Sequence, residues 1–207
     1  MANGSSATER SQLMKKKLRY ITKDNGTGAR NVYICRAEYC FVVGMSRKGA
    51  AVNCVGCQIE NGKIDVADFL VARTEHFIVN QDLEVPIPGF YIISTRRHVF
   101  SIDEFTVEEQ IELGKLLHTV KAGMRKELKI KTVYLFQDEA SDNHFHLWLF
   151  PQLEWMKQFG FKVQSIRPII DYAKSAMRTR ENFEKAKKMT EKMRVFIQTN
   201  AGFLFKS

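Results

Sequence analysis

The sequence predicts an α+β domain in which helices pack on an antiparallel sheet. Short β-prone runs come in pairs joined by turn residues, 68–74 with 76–80 and 132–138 with 143–151, which is the spacing of hairpins. Between them lies a helix from about Val107 to Leu128. Its Ile111, Leu113, Leu116, Leu117, Val120, Met124 and Leu128 largely follow the helical period and give one apolar face for a sheet. With 207 residues and 44% hydrophobic content, the chain is long enough for one well-packed core carrying extensions.

Charge divides the chain more sharply than composition does. Residues 1–50 carry ten Lys/Arg against three acidic groups, residues 51–151 ten against fifteen, and residues 152–207 twelve against five, so +7, −5 and +7 sum to the net +9. The reading is a basic N-terminal extension over 1–49, partly disordered, a domain over 50–151, and a basic, mainly helical C-terminal extension over 152–207. Basic ends of this kind suit nucleic acid; lacking aromatic interleaving, they also read as solvated faces, which is the plainer account. No apolar run approaches a membrane span, which points to a soluble, cytoplasmic protein with no membrane partner. Four cysteines are too few for a disulfide scaffold.

In chain order, Leu13–Tyr20 leaves helix or strand open, and 31–35 with 39–43 reads as a hairpin after the turn cluster 24–28. Cys54-x-x-Cys57 suggests metal or redox use in a reducing compartment, with Cys35 and Cys40 as a second pair able to complete an all-thiolate set. Val85-Pro86-Ile87-Pro88-Gly89 is a rigid loop, followed by a strand over 90–94 and then Thr95-Arg96-Arg97-His98. Ser101-x-x-Glu104 and Thr106-x-x-Glu109 have capping-box spacing and open the long helix. His118, beside its apolar face, is assigned no chemistry. Ser165-Ile166-Arg167-Pro168 reads as a break, with one amphipathic helix from about 169 to 198 beyond it.

The chemistry concentrates in Asn143-His144-Phe145-His146-Leu147-Trp148-Leu149-Phe150-Pro151. A strand alternates its side chains, so His144, His146 and Trp148 share one face while Phe145, Leu147 and Leu149 share the other. One face is expected to be chemical and the other core, with Pro151 ending the strand.

This stretch resembles the histidine triad (HIT) family of nucleotide hydrolases and transferases, whose signature is His-φ-His-φ-His-φ-φ, with Trp148 in place of the third histidine. The resemblance extends over about residues 50–151 and implies a small antiparallel sheet with helices packed on it, often dimerised. It implies a covalent nucleotidyl-histidine at His146, with His144 and Trp148 completing the catalytic set, on dinucleoside polyphosphates such as diadenosine polyphosphate or on related phosphoanhydrides and phosphoramidates. It places Asn80 at the ribose and Gln137, with Asn143 as a nearby polar donor, at the phosphate. It also implies structural zinc on Cys54, Cys57, His98 and His144, while the chemistry itself needs no metal. Phe90, where the family commonly has His, and Trp148 are the departures. Trp148 raises a rival reading, a catalytically weak nucleotide-binding or interaction protein on the same fold; a third reading is a nucleic-acid end-processing enzyme whose basic ends grip the strand.

Overall fold

A computed structural model describes residues 19–24, 30–36, 39–45, 54–139, 144–160 and 162–202. The chain divides into two units, 1–52 and 53–207. In the first, strands β1 (Arg19–Asp24), β2 (Arg30–Arg36) and β3 (Tyr39–Met45) form an antiparallel sheet in the order β1-β2-β3. The hairpin expected over 31–43 is β2–β3, with Cys35 opposite Cys40 in its register. Strand β1 takes up Arg19 and Tyr20, where the sequence left helix and strand open.

The second unit is built on a five-stranded antiparallel sheet. Its strands are β4 (Leu70–Arg73), β5 (Phe77–Gln81), β6 (Tyr91–Thr95), β7 (Val133–Phe136) and β8 (His146–Pro151), in the order β4-β5-β6-β8-β7. The histidine strand β8 is therefore interior, with Ser94 opposite His146 on one side and Phe136 opposite Trp148 on the other. Pro151 is its last residue, where a missing N–H costs the ladder little.

Four α-helices among its described residues pack with this sheet: α1 (Val55–Glu60), α2 (Val107–Lys126), α3 (Ile166–Ala176) and α4 (Arg180–Asn200). One face of the sheet carries Phe145 and Leu149 into a core with Leu113, Leu116, Val120 and Met124 of α2 and Met193, Phe196 and Ile197 of α4. The opposite face is more than chemical. Phe150 is fully buried there in a second cluster with Val85, Ile87, Phe90 and α3's Ile166, Ile169 and Ile170.

The C-terminal segment departs from expectation in two ways. It is two helices instead of one, because Thr179 accepts from the Asn182 N–H and caps a new start while the Asn182 amide closes on the Met177 carbonyl at 2.9 Å. Pro168 lies in the first turn of α3, where its missing N–H has no helical partner to lose, so the supposed break is a helix start. The segment is integral to this unit. Gly123 lets α4 seat on α2, since a Cβ there would come within 2.7 Å of the Phe196 ring. Arg194 donates to the Leu70 and Ala67 carbonyls at 2.8 Å each, covering edge strand β4. Six of its basic side chains, Lys157, Arg167, Lys174, Lys185, Lys187 and Arg194, are paired with carboxylates. No helix among the described residues is long and apolar enough to cross a membrane.

Helix α2 starts where its capping box places it, with the Thr106 side chain accepting from the Glu109 N–H. Ile111 is 53% exposed, because the buried face of the first turn is filled by Glu109 instead. That carboxylate is 1% exposed and accepts from Arg97 at 2.7 Å and from the Thr106 N–H at 2.8 Å. The Arg97 hydrogen bond holds the Glu109 carboxyl below the usual carboxylate range. A lowered folded value stabilises above the unfolded value, about 4.3, and this contribution disappears as pH falls through the folded one. Glu109→Gln is expected to cost about 2 kcal/mol at pH 7 and less at pH 3, below the unfolded value, where part of the carboxylate's contribution is already lost. Urea melts at the two pH values check this; equal losses at both would show that shape, not charge, holds Arg97.

Candidate functional site

Helix α1 is short and begins on a cysteine. Cys54 is its N-cap, and its sulfur accepts from the Cys57 N–H at 3.4 Å, which turns both thiols to one side. His98 follows β6 and His144 precedes β8, so two sheet connections meet this turn. Cys54 Sγ lies 3.6 Å from His98 Nδ1 and 3.2 Å from His144 Nδ1; Cys57 Sγ lies 3.3 and 3.6 Å from the same two atoms. Tetrahedral zinc with ordinary Zn–S and Zn–N bonds sets sulfur and nitrogen about 3.6 Å apart, and all four donor atoms fall within 4.8 Å of one another. Gly56 permits the approach, because a Cβ there would lie 2.7 Å from the His144 ring. The donor set fits a closed zinc site. Burial, reinforced by Cys54, pushes the metal-free Cys57 thiol up to about 12. The side chains of Cys35 and Cys40, which the all-thiolate set would need, lie outside the described residues.

His144 connects this cluster to the next histidine. With Nδ1 toward the sulfurs, its Nε2–H donates to the Thr95 carbonyl at 2.7 Å, the outer-shell bond that fixes a ligating imidazole. The His144 carbonyl in turn accepts from His146 Nδ1–H at 3.0 Å. A carbonyl can only accept, so His146 carries its proton on Nδ1 and keeps the Nε2 lone pair. His144 itself lies just before β8, which starts at His146.

His146 borders a cavity of about 800 Å³ that Asn80, Asp82, Ser94 and Asp138 also line, with apolar walls from Ile59, Ile92 and α3's Ile166 and Ile170. Asn80 is buried and gives its amide N–H to the Gln81 carbonyl at 2.9 Å. Asp82 was passed over in the sequence. It anchors the proline loop by accepting from the Glu84 and Val85 N–H groups at 2.9 and 2.7 Å, and burial pushes its carboxyl above the ordinary range. An Asp opening a proline-rich turn was the available signal.

Gln137 is not among the lining residues. Its neighbours Phe136 and Asp138 face the cavity, while the Gln137 amide donates to Glu139 at 3.1 Å, as strand alternation requires. Asn143 lies outside the described residues. Arg96 and Arg97 turn away to brace Glu60 and Glu109. The lysine and arginine side chains that do line the cavity, Arg167 and Lys174, come from α3 and are paired with Asp171 and Glu84.

Trp148 lines the cavity, but its N–H is unavailable. Its ring stands edge-on to Phe136 at 4.8 Å and to Phe90 at 5.4 Å, and Nε1 is buried without a partner. Phe90 and Trp148, the two departures from the histidine pattern, are thus in contact and form one change. An aromatic pair occupies space where the resemblance implies imidazoles.

Solved structures share this antiparallel α+β fold. A Zn-bound histidine triad family protein from Mycobacterium smegmatis matches at 12% identity over 74% of this chain and 99% of its own, with a TM-score of 0.53. A hypothetical histidine triad nucleotide-binding protein from Sulfolobus tokodaii strain7 matches at 19% identity over 74% and 100%, also at 0.53. A Hit-like protein involved in cell-cycle regulation from Bartonella henselae matches at 12% over 70% and 96%, at 0.50. No family model matches the sequence, and no curated protein does. The chain has a HIT-like fold.

Proposed function

We propose that the protein is a nucleotidyl hydrolase or transferase that forms a covalent intermediate on His146. Its substrates are dinucleoside polyphosphates or related nucleoside phosphoanhydrides and phosphoramidates. The observation that carries this reading is the His146 tautomer. Nδ1–H is held by the His144 carbonyl at 3.0 Å and the ring lines the cavity, so the Nε2 lone pair is the nucleophile available to an α-phosphorus. Asn80 and Asp82 are the polar groups placed for a sugar, and the aliphatic walls suit the faces of a base. Zinc on Cys54, Cys57, His98 and His144 would be structural, fixing the backbone that orients His146.

The test is incubation with a panel of adenylylated and guanylylated substrates, with intact-mass spectrometry. A mass increase of one nucleotide that maps to His146 is expected, with product release. The buried Trp148 N–H favours a second reading, nucleotide binding without turnover, for which the same experiment returns binding and no adduct. Nucleic-acid binding through the basic ends would appear as a steep salt dependence of oligonucleotide affinity.

A further inference from the structure

A nucleotide can bring this cavity one phosphate or several, and the walls do not treat the two alike. Each phosphate beyond the first adds negative charge that needs a cation or a hydrogen-bond donor once it leaves water. On the sheet side Asp82 and Asp138, which follow β5 and β7, line the cavity, and carboxylates repel phosphate. Positive charge reaches it from α3. Arg167 and Lys174 line the cavity beside Ile166 and Ile170, seven residues apart, which sets them two turns and about 10 Å along one side of the helix.

Lys174 stands at the rim. Its ammonium meets the Glu84 carboxylate, at the start of the proline loop, at 2.7 Å; both residues line the cavity, yet the two side chains are 45% and 70% exposed. The Lys174 hydrogen bond holds the Glu84 carboxyl below the usual carboxylate range, and Arg178, two residues past α3, adds to the effect. Two cations thus act on one carboxylate at this edge. An ion pair so exposed is held weakly, whereas a phosphate offers more charge and more acceptor oxygens to the same ammonium. Exchanging Glu84 for phosphate therefore favours the phosphate, and Glu84, on an exposed loop, is free to turn to water. Arg167 is balanced in the same exposed way by Asp171 at 3.2 Å, within its own helix.

We infer that Lys174 selects polyphosphate-bearing nucleotides for this site, by exchanging Glu84 for a phosphate beyond the α-phosphate, with Arg167 two turns back along the same wall. This rests on the nucleotidyl-transfer reading, which sets the α-phosphorus at His146. The substrate class narrows accordingly. Dinucleoside and nucleoside polyphosphates are preferred over phosphoramidates, whose single phosphate stops at His146 and leaves nothing for Lys174. The choice is made by α3, so it belongs to the C-terminal segment and not to the histidine strand.

The experiment measures kcat/KM of wild type, Lys174→Gln, Lys174→Arg and Glu84→Gln on diadenosine tetraphosphate and on an adenosine 5′-alkylphosphoramidate. Lys174→Gln is expected to lower the tetraphosphate-to-phosphoramidate ratio about 10–100-fold, the size of one charge-assisted hydrogen bond, chiefly through the KM for the tetraphosphate. Lys174→Arg keeps the charge and should recover most of that loss. Glu84→Gln removes the competing carboxylate and should tighten the tetraphosphate by up to about fivefold. A ratio within about threefold of wild type in Lys174→Gln overturns the assignment, and so does an equal loss on both substrates, which would report a damaged site instead of a selective one. Calorimetric binding of ATP against AMP reads the same contact without turnover, and Lys174→Gln should lower that affinity ratio by the same factor. Wild type that favours ATP through Lys174 but forms no adduct on His146 would remove the nucleotidyl-transfer reading and leave the phosphate contact standing.

Discussion

His146→Ala is expected to abolish the covalent adduct and to lower turnover by about 10⁴-fold or more, because it removes the bond-forming atom itself and not a group that assists it. Alanine leaves every zinc donor in place and removes one hydrogen bond, that to the His144 carbonyl. Zinc content and melting temperature should therefore stay near wild type, which separates chemical loss from unfolding. Trp148→Ala makes the contrast. It opens a void among Phe90, Phe136 and Phe150, costing about 3–5 kcal/mol of stability, yet leaves the nucleophile in place. Intact-mass measurement on both variants decides between the roles. An adduct that persists at wild-type level in His146→Ala would move the nucleophile to another residue.

The strands and the main helix were legible because period carries them. Two-residue alternation around His146 and the capping box at Thr106 are local signals, and the structure follows both. Most of the misses share a physical cause, namely partners distant in sequence. Ile111 has the right spacing for the core but lies outside it, since Glu109 fills that turn through an arginine twelve residues upstream. Gln137 was placed by resemblance at the phosphate, yet strand parity gives the cavity to Phe136 and Asp138. The aliphatic wall from α3 was unreadable at the sequence level because nothing local tells a helix over 166–176 that it will cover the face of β8. Phe90 and Trp148 appeared as two separate departures until their ring contact made them one. By contrast, Cys54, Cys57, His98 and His144 were legible through resemblance alone, since 41 to 90 residues separate the sulfurs from the imidazoles they meet.

Those four residues set the second large effect. Protein purified without chelator is expected to carry about one zinc per chain, the stoichiometry of a closed four-ligand site, and its removal should destabilise the domain by several kcal/mol. Without the ion, two thiols and two imidazoles are left within 4.8 Å of one another. Binding must also displace protons. Burial raises the Cys57 thiol to about 12, so at any lower pH this thiol alone makes the apparent zinc affinity rise about tenfold per pH unit, and weaken by the same factor as pH falls. The loss should reach the chemistry indirectly. His144 Nδ1 faces the sulfurs, its Nε2–H holds the Thr95 carbonyl, and its own carbonyl holds His146, so a freed His144 ring loosens the bond that sets the nucleophile's tautomer. Cys57→Ser should accordingly lose zinc, melt at a lower temperature, and form the His146 adduct about 10–100-fold more slowly, the size of a lost outer-shell contact. His98→Ala, whose exposed ring stands edge-on to His144 at 5.2 Å but makes none of those hydrogen bonds, should lose zinc with a smaller loss of adduct rate. Metal-free protein with an unchanged melting temperature would exclude a structural ion, and zinc lost in Cys35→Ser but retained in His98→Ala would transfer it to the all-thiolate set.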